Sequence, residues 1–189
     1  VFNLEQEMSL EFGEQFAKAE GTAFVSGNAV GKPEGFLTNS EIGTVNSGHA
    51  STLTADGLIS LYHEPKAEYA QNGTFVFSRS TLAAIRKLKT DSNDYVFQPG
   101  NQLSGGMVAT ILGAPYIQAT DMPSVGAGNK AIAFGDFRRG YMIVDRVNLA
   151  ILRDPFTQAT SGNVRYVARK RVGAQVILPE AIKTQTVSA

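Results

Sequence analysis

The sequence predicts an α+β fold, with helices in the first half of the chain and strands in the last third. Apolar side chains recur every four positions from Leu4 to Phe16, the spacing that places them on one face of a helix. The last third instead has short runs rich in Val, Ile, Tyr and Phe, which are typical of strands. Helical and extended segments grouped in this way favour α+β over a doubly wound α/β sheet.

The first predicted helix covers residues 1–20 and ends at Gly21, which is a suitable C-terminal cap. Thr54 is a suitable N-cap for a second helix. This second helix runs to about Tyr69 and is interrupted or kinked at Pro65, because proline lacks the amide hydrogen that a helix interior needs.

A third helix, TLAAIRKLK, is predicted after an N-cap at Ser78 or Ser80. Two stretches have no predicted helix or strand, namely the Gly-, Ser- and Thr-rich residues 38–51 and the loop-like residues 90–106. The predicted strands are the ranges 74–77, 107–117, 131–134, 141–144, 147–152 and 164–172.

The last of these ranges, 164–172, alternates apolar and basic residues. The apolar positions are Val164, Tyr166, Ala168 and Val172. The basic positions are Arg165, Arg169 and Arg171, and only Lys170 breaks the alternation. Because successive side chains of a strand point to opposite faces, this pattern predicts a half-buried strand with a basic outer face.

Charge is balanced overall but unevenly distributed. The 17 basic and 17 acidic residues cancel, so there is no global field to attract nucleic acid or acidic lipid. Residues 1–35 carry six acidic residues against two lysines, whereas residues 137–171 carry eight basic residues against two aspartates. An acidic end and a basic end suit head-to-tail docking of identical copies, and two solvated faces of one monomer explain the pattern equally well.

Residues 27–32 (GNAVGK) have the composition of a phosphate-binding loop but not its spacing. A Walker A loop has four residues between its glycines and a Ser or Thr after its lysine, and it leads from a strand into a helix. Here three residues separate Gly27 from Gly31, Pro33 follows Lys32, and a helix leads in. We interpret the stretch as a turn after the first helix, with Lys32 exposed to solvent.

Catalytic and metal-binding patterns are not found in the sequence. It has two histidines, His49 and His63, no cysteine, no nucleophile elbow and no metal-ligand spacing. Asp136 and Asp145 are conceivable as a catalytic acid pair, but turn and ion-pair roles are commoner for carboxylates beside arginines. The sequence therefore predicts a protein that is not an enzyme and has no catalytic residue, cofactor or metal. It also has no apolar run of roughly 18 residues that predicts a membrane span.

Five motifs occur in a characteristic order along the chain. They are FVSGNAVGKPEGFL (24–37), LGAP (112–115) with Met122-Pro123, IAFGDFRRGYMIVDR (132–146), Arg153-Asp154-Pro155 and RVGAQVILPEAI (171–182). This ordered set resembles the major capsid proteins of tailed bacteriophages and prophages, which have the Hong Kong 97 fold. The resemblance covers nearly the whole chain.

The resemblance implies an α+β Hong Kong 97-like fold with an axial lobe and part of a peripheral lobe. Residues 1–51 would form the end of the family's spine helix and a peripheral-lobe segment, residues 52–130 the axial lobe, and residues 131–189 a strand-rich return through both lobes. The family's N-terminal arm and extended loop would precede Val1 and are absent from this sequence.

The resemblance also implies a function, namely a structural subunit of an icosahedral phage head. Copies would self-assemble as hexamers and pentamers into the shell that encloses double-stranded DNA. Scaffolding and portal proteins would be further partners, DNA contacts would be non-specific, and no membrane would be involved. The protein would reside in the virion capsid after assembly in the bacterial host cytoplasm. The alternatives are an encapsulin-like nanocompartment shell of the same fold and, from another class, a small hydrolase or ligand-binding domain.

Two groups of residues are candidates for contacts in such a shell. The possible intersubunit residues are Arg165, Arg169 and Arg171 on the basic strand and Glu7, Glu11 and Glu14 on the first helix. Ion pairs between lobes and an inward-facing role near packaged DNA are the competing interpretations for the arginines.

Asn163 is a candidate of another kind. Some family members crosslink a lysine of the extended loop to an asparagine, and Asn163 lies at a plausible position for that acceptor. The sequence has Arg169, Lys170 and Arg171 where a catalytic glutamate is expected, so a simple turn residue is the competing interpretation.

Overall fold

The computed structural model describes residues 4–89, 93–95 and 110–189. The helices are α1 (Leu4–Ser26), α2 (Ala55–His63), α3 (Ala67–Ala70), α4 (Arg79–Arg86) and α5 (Phe137–Gly140). The strands are β1 (Gly43–Asn46), β2 (Thr74–Phe77), β3 (Thr110–Ile111), β4 (Ala114–Gln118), β5 (Lys130–Gly135), β6 (Tyr141–Asp154), β7 (Arg165–Val176) and β8 (Ile182–Thr186). The predicted α+β class is confirmed.

Six strands form one mixed sheet in the order β1-β8-β5-β2-β4-β3, and β6 and β7 form a separate antiparallel hairpin. The pairs β1–β8 and β2–β4 are parallel, and the remaining pairs of the sheet are antiparallel. The sheet takes strands from each of the predicted ranges 1–51, 52–130 and 131–189. The assignment of those ranges to lobes stays a prediction.

Phenylalanines at the centre of the sheet form the main core. Phe75, Phe77 and Phe134 are fully buried, and the rings of Phe75 and Phe134 lie 4.4 Å apart. Helices α2 and α4 cover this face with Leu58, Leu61, Leu82 and Ile85. Burial of such large side chains is the main source of stability for a domain of this size.

The opposite face of the sheet packs on a second core. This core joins the end of α1, the turn after it and the base of the hairpin, through Val25, Phe36, Ala133, Val176 and Ile182. Because β5 is buried on both faces, the sheet is a middle layer between the helices α2 and α4 and the α1–hairpin unit.

Both predicted N-caps are confirmed. The side chain of Thr54 accepts a hydrogen bond from the Gly57 amide at 3.0 Å, and that of Ser78 accepts one from the Thr81 amide at 3.3 Å. Of the two serines considered for the third helix, Ser78 is therefore the cap.

The predicted end of the first helix is wrong, because α1 continues through Gly21 to Ser26. Thr22 Oγ1 donates a 2.6 Å hydrogen bond to Asp121 Oδ1, and a Cβ at position 21 would lie 2.9 Å from Asp121 Oδ2. Because Gly21 has no side chain, the loop that contains Asp121, 100 residues away along the chain, can pack closely against α1. The helix ends where the Gly27 amide makes its last bond, to Ala23 O at 2.8 Å.

Strand predictions were correct in part. Residues 74–77 form β2 as predicted, whereas β1 lies within residues 38–51 and β8 was not predicted. The ranges 141–144 and 147–152 belong to one strand, β6, because β-bulges near Val147 absorb the irregular pattern between them. Residues 110–118 form the hairpin β3–β4, while residues 107–109 and most of the predicted loop 90–106 lie outside the described residues.

Candidate functional site

The two faces of strand β7 differ in burial and charge, whereas its partner β6 is exposed along most of its length on both faces. Even-numbered residues of β7 from Tyr166 to Val176 are half-buried or buried, whereas Arg165, Arg169 and Arg171 are exposed. Because side chains alternate along a strand, these are two opposite faces. Lys170 on the half-buried face reaches Glu20 of α1, so the helix contacts this inner face of β7. The predicted half-buried strand with a basic outer face is present, except that Val164 is exposed.

Lys170, the residue that breaks the alternation, belongs to the inner face. Its Nζ lies 2.6 Å from Glu20 Oε1, donates a hydrogen bond to Glu20 Oε2 at 2.8 Å, and lies 3.8 Å from Asp145 Oδ1. The hydrogen bond with Glu20 raises the pKa of Lys170 above its ordinary value of 10.5. The positive charge of Lys170 on this half-buried face is therefore paired with the Glu20 carboxylate of α1.

The base of the hairpin is anchored to the turn after α1. Tyr141 Oη donates a 2.6 Å hydrogen bond to Glu34 O, and the Glu34 amide donates to Ala174 O at 3.0 Å. Burial, together with the nearby Glu34 charge, raises the pKa of Tyr141 to about 12. The turn, the helix end and the hairpin thus form one continuous unit.

The glycine-rich turn is a bend that folds back on the end of α1. The Gly35 amide donates to Gly27 O at 2.9 Å, and a Cβ at Gly27 would overlap the carbonyl oxygens of Pro33 and Ala23. Lys32 is exposed, and α1 precedes the turn in place of the strand that a phosphate loop requires. The interpretation of GNAVGK as a turn is confirmed.

The outer face of the hairpin combines a row of basic residues on β7 with a row of apolar residues on β6. Arg165, Arg169 and Arg171 lie on β7. Their neighbours on β6 are Met142, Val144, Val147 and Leu152, which register and alternation assign to the same face and which are 40% to 61% exposed. An outward-facing patch of this composition on a two-stranded sheet is typical of an interaction surface.

The outer face of α1 is acidic. At 100° per residue, Glu7, Glu11 and Glu14 fall on one side of the helix, with Leu10, which is 60% exposed, beside them. The half-buried Phe12 and Phe16 fall on the opposite side. Within one copy, no ion pair of the described residues joins the two predicted charged sets.

Asn163 lies in the connection between β6 and β7. It is exposed, follows Gly162 in the left-handed conformation (φ 70°), and donates its amide hydrogen to Gln158 O at 3.4 Å. This geometry suits a turn residue.

The carboxylates and histidine of the hydrolase alternative are found in different environments. Asp136 accepts hydrogen bonds from the amides of Arg138 and Arg139 at the start of α5. The cleft beside it includes neither Asp145, which lies near Lys170, nor His63, which ends α2. Among the described residues, no three His, Asp or Glu side chains are grouped to hold a metal ion.

A family comparison decides the identity of the fold. The model of the phage capsid family matches residues 1–187. The chain belongs to the phage capsid family. No curated protein matches it significantly.

Solved capsid chains are similar in structure to this capsid protein. Two similar chains, described as the capsids of an empty and a native GTA particle computed with C5 symmetry, are each 36% identical, with TM-scores of 0.88 and 0.89. They cover 100% of this chain, which spans 68% and 67% of theirs. The fold is also similar to that of Gordonia phage Cozz (16% identity, TM-score 0.64, 100% of this chain and 68% of that chain).

The holo-SrpI encapsulin complex from Synechococcus elongatus has this fold as well (18% identity, TM-score 0.65, 98% of this chain and 66% of that chain). This capsid protein is thus a shell subunit with the Hong Kong 97-like fold, as the motifs imply. Within its described residues, no helix is long and apolar enough to cross a bilayer.

Proposed function

We propose that copies of this capsid protein self-assemble, as pentamers and hexamers, into an icosahedral phage head that encloses double-stranded DNA. Membership of the phage capsid family supports this proposal, as does similarity to capsids of particles described with C5 symmetry. The protein then has a structural role in the virion and no catalytic one.

The outer face of the hairpin is the observation that carries the proposal. A two-stranded sheet is marginally stable when it is alone in water, and here α1 contacts one face of β7 while β6 is largely exposed. Exposed apolar side chains such as Val144 and Leu152 gain free energy when a neighbouring molecule buries them. Arg165, Arg169 and Arg171, together with Glu7, Glu11 and Glu14, supply complementary charges for contacts between copies.

The family role includes further partners and a place of assembly. Assembly proceeds in the bacterial host cytoplasm, with scaffolding and portal proteins as partners. Contacts with packaged DNA are non-specific, and the zero net charge of the chain gives no global attraction to DNA. In the Hong Kong 97-like arrangement, residues 52–130 contribute the axial lobe and the α1–hairpin unit contributes the peripheral lobe.

Expression of the protein with all residues that its gene encodes tests the function directly. Closed shells in negative-stain electron microscopy, containing nuclease-protected DNA when the phage packaging genes are present, are the expected result. Shells that instead enclose a co-purified enzyme would favour the encapsulin-like nanocompartment. A monomer with hydrolytic activity would overturn both.

The role of Asn163 is tested on the same shells. We expect no covalent ladder on a denaturing gel, because the turn role needs no crosslink. A ladder that disappears in the Asn163→Asp variant would instead identify Asn163 as an isopeptide acceptor.

A further inference from the structure

We propose that neighbouring copies join head to tail, with the acidic outer face of α1 in one copy lying on the outer face of the hairpin in the next. Glu7 and Glu11 of the first copy then pair with Arg169 and Arg171 of the second. The inference rests on the proposed function and names the surfaces that the shell contacts use.

The direction of each surface supports this arrangement. Helix α1 contacts the inner face of β7 in its own hairpin, as the contact between Glu20 and Lys170 shows. The acidic side of the helix faces away from this contact, and Arg169 and Arg171 alternate with Lys170 on the opposite side of β7. Among the described residues no ion pair joins the acidic set to the basic set within one copy, so a second copy can supply the complement of each.

The distribution of charge on the hairpin favours Arg169 and Arg171 as the residues that contact the neighbouring copy. Arg165 lies opposite Asp154 in the register of the hairpin and therefore has a carboxylate on the neighbouring strand. Arg169 and Arg171 instead lie opposite Ala150 and Val147, which carry no charge. These two guanidinium groups are exposed, and they are the ones that an acidic partner surface would neutralise.

The spacing of the opposing charges also agrees. Glu7 and Glu11 are one helical turn apart, about 6 Å along the helix axis at 1.5 Å per residue. Arg169 and Arg171 are two residues apart on a strand, about 6.6 Å at 3.3 Å per residue. Leu10 lies beside these glutamates and would be placed against Val147 and the neighbouring apolar row of β6.

This contact is heterologous, because it joins two different surfaces of the chain. Each bound copy still presents one free helix face and one free hairpin face, and such contacts close into rings when the rotation between copies permits. A ring of five or six copies in a head is one such closed arrangement.

Charge reversal on each surface tests the contact. In the complete gene product, the variants Glu7→Arg/Glu11→Arg and Arg169→Glu/Arg171→Glu each place like charges together. We expect each to lower the yield of shells by about tenfold or more, because like charges at an interface cost several kcal/mol. The variant with all four substitutions restores opposite charges at every contact, and we expect it to recover shell formation.

The matched control is Arg138→Glu/Arg139→Glu, a double reversal on exposed residues of α5 outside both faces. It should assemble as the unmodified protein does. Circular dichroism and thermal unfolding verify that every variant is folded, and light scattering with electron microscopy measures shell yield.

Three results separate this inference from the proposed function. If the unmodified protein forms no shells, the function itself fails. If it forms shells and both double variants do so equally well, the function stands and the helix–hairpin contact is wrong. The contact is also wrong if the folded fourfold variant stays unassembled, or if Arg169→Glu/Arg171→Glu forms normal empty shells that fail to retain DNA.

Discussion

Lys170 Nζ on β7 lies between both carboxylate oxygens of Glu20 on α1, 2.6 Å from Oε1 and 2.8 Å from Oε2. This contact joins β7 of the hairpin to α1. Without the hydrogen-bonded cation, the largely buried Glu20 carboxylate would lack its charge partner, and such carboxylates are costly to leave unpaired.

We therefore expect Lys170→Met to lower the unfolding midpoint. Glu20→Gln should lower the midpoint of the Lys170→Met variant by less than it lowers that of the unmodified protein. A double-mutant cycle in urea measures the coupling, and Lys18→Met, on the exposed side of the same helix, is the control. The pKa of Lys170 is raised above 10.5, so its contribution is fully present below pH 10.5 and is lost as pH rises through the folded pKa. Additive effects in the cycle would contradict this pairing.

Gly27→Ala should destabilise the subunit strongly. A Cβ there overlaps the carbonyl oxygens of Pro33 and Ala23, which belong to the backbone and cannot move aside as a flexible side chain can. We expect a loss of about 2–4 kcal/mol in the free energy of unfolding, measured by urea denaturation. Lys32→Ala in the same turn changes only an exposed side chain and should stay within about 0.5 kcal/mol. Equal effects of the two variants would refute the close packing of this turn.

Gln185→Met should stabilise the subunit. Both polar atoms of the Gln185 amide are buried without a hydrogen-bond partner among the described residues. Methionine has a similar shape and removes a penalty of about 1–3 kcal/mol for an unsatisfied group. The control Gln175→Met changes an exposed position of β7 and should leave the midpoint of thermal unfolding unchanged. A lower midpoint for Gln185→Met would mean that the amide is satisfied by bound water.

Acid should weaken the link between α3 and the turn before β8. Glu180 accepts hydrogen bonds from Lys66 Nζ at 2.6 Å and Tyr69 Oη at 3.0 Å, and these lower the pKa of its carboxyl below 4.5. The lowered pKa means that the contribution is present above pH 4.5 and is lost as pH falls through the folded pKa.

Glu180→Gln should accordingly lower the stability of the protein at pH 7. Below pH 4.5, the stability of this variant should fall less steeply with falling pH than that of the unmodified protein. The effect should be modest, because 44% of the side chain is exposed and solvent screens the charge. Urea midpoints measured from pH 7 to pH 3 test this, with the exposed Glu41→Gln as control. Parallel pH profiles for Glu180→Gln and the unmodified protein would contradict it.

The fold class and local signals such as caps could be predicted, because they depend on neighbouring residues. Thr54 and Ser78 cap helices as expected, since a hydroxyl and an amide three residues away determine that geometry. The prediction that Gly21 ends the helix was wrong, because its role depends on the contact with Asp121, which no local pattern reveals. Strand β8 was missed because the fully buried Thr184 and Gln185 make it polar in a hydropathy profile.

The site was predictable to a similar extent. The alternation in 164–172 correctly placed Arg165, Arg169 and Arg171 on an exposed face. Its exception, Lys170, was a usable signal, since a lysine at an inward position calls for a buried acidic partner. That this partner is Glu20 could not be predicted, because 150 residues separate the two.

The position of β8 has a consequence for the newly made polypeptide. Among the strands of the described residues β8 is the last in sequence, yet it lies between β1 and β5 and completes the parallel pair with residues about 140 positions earlier. Such distant pairing is slow, and during synthesis it must wait until β8 has left the ribosome. The sheet of a nascent chain therefore stays incomplete until β8 has left the ribosome, and only after that can the folded subunit contact its neighbours.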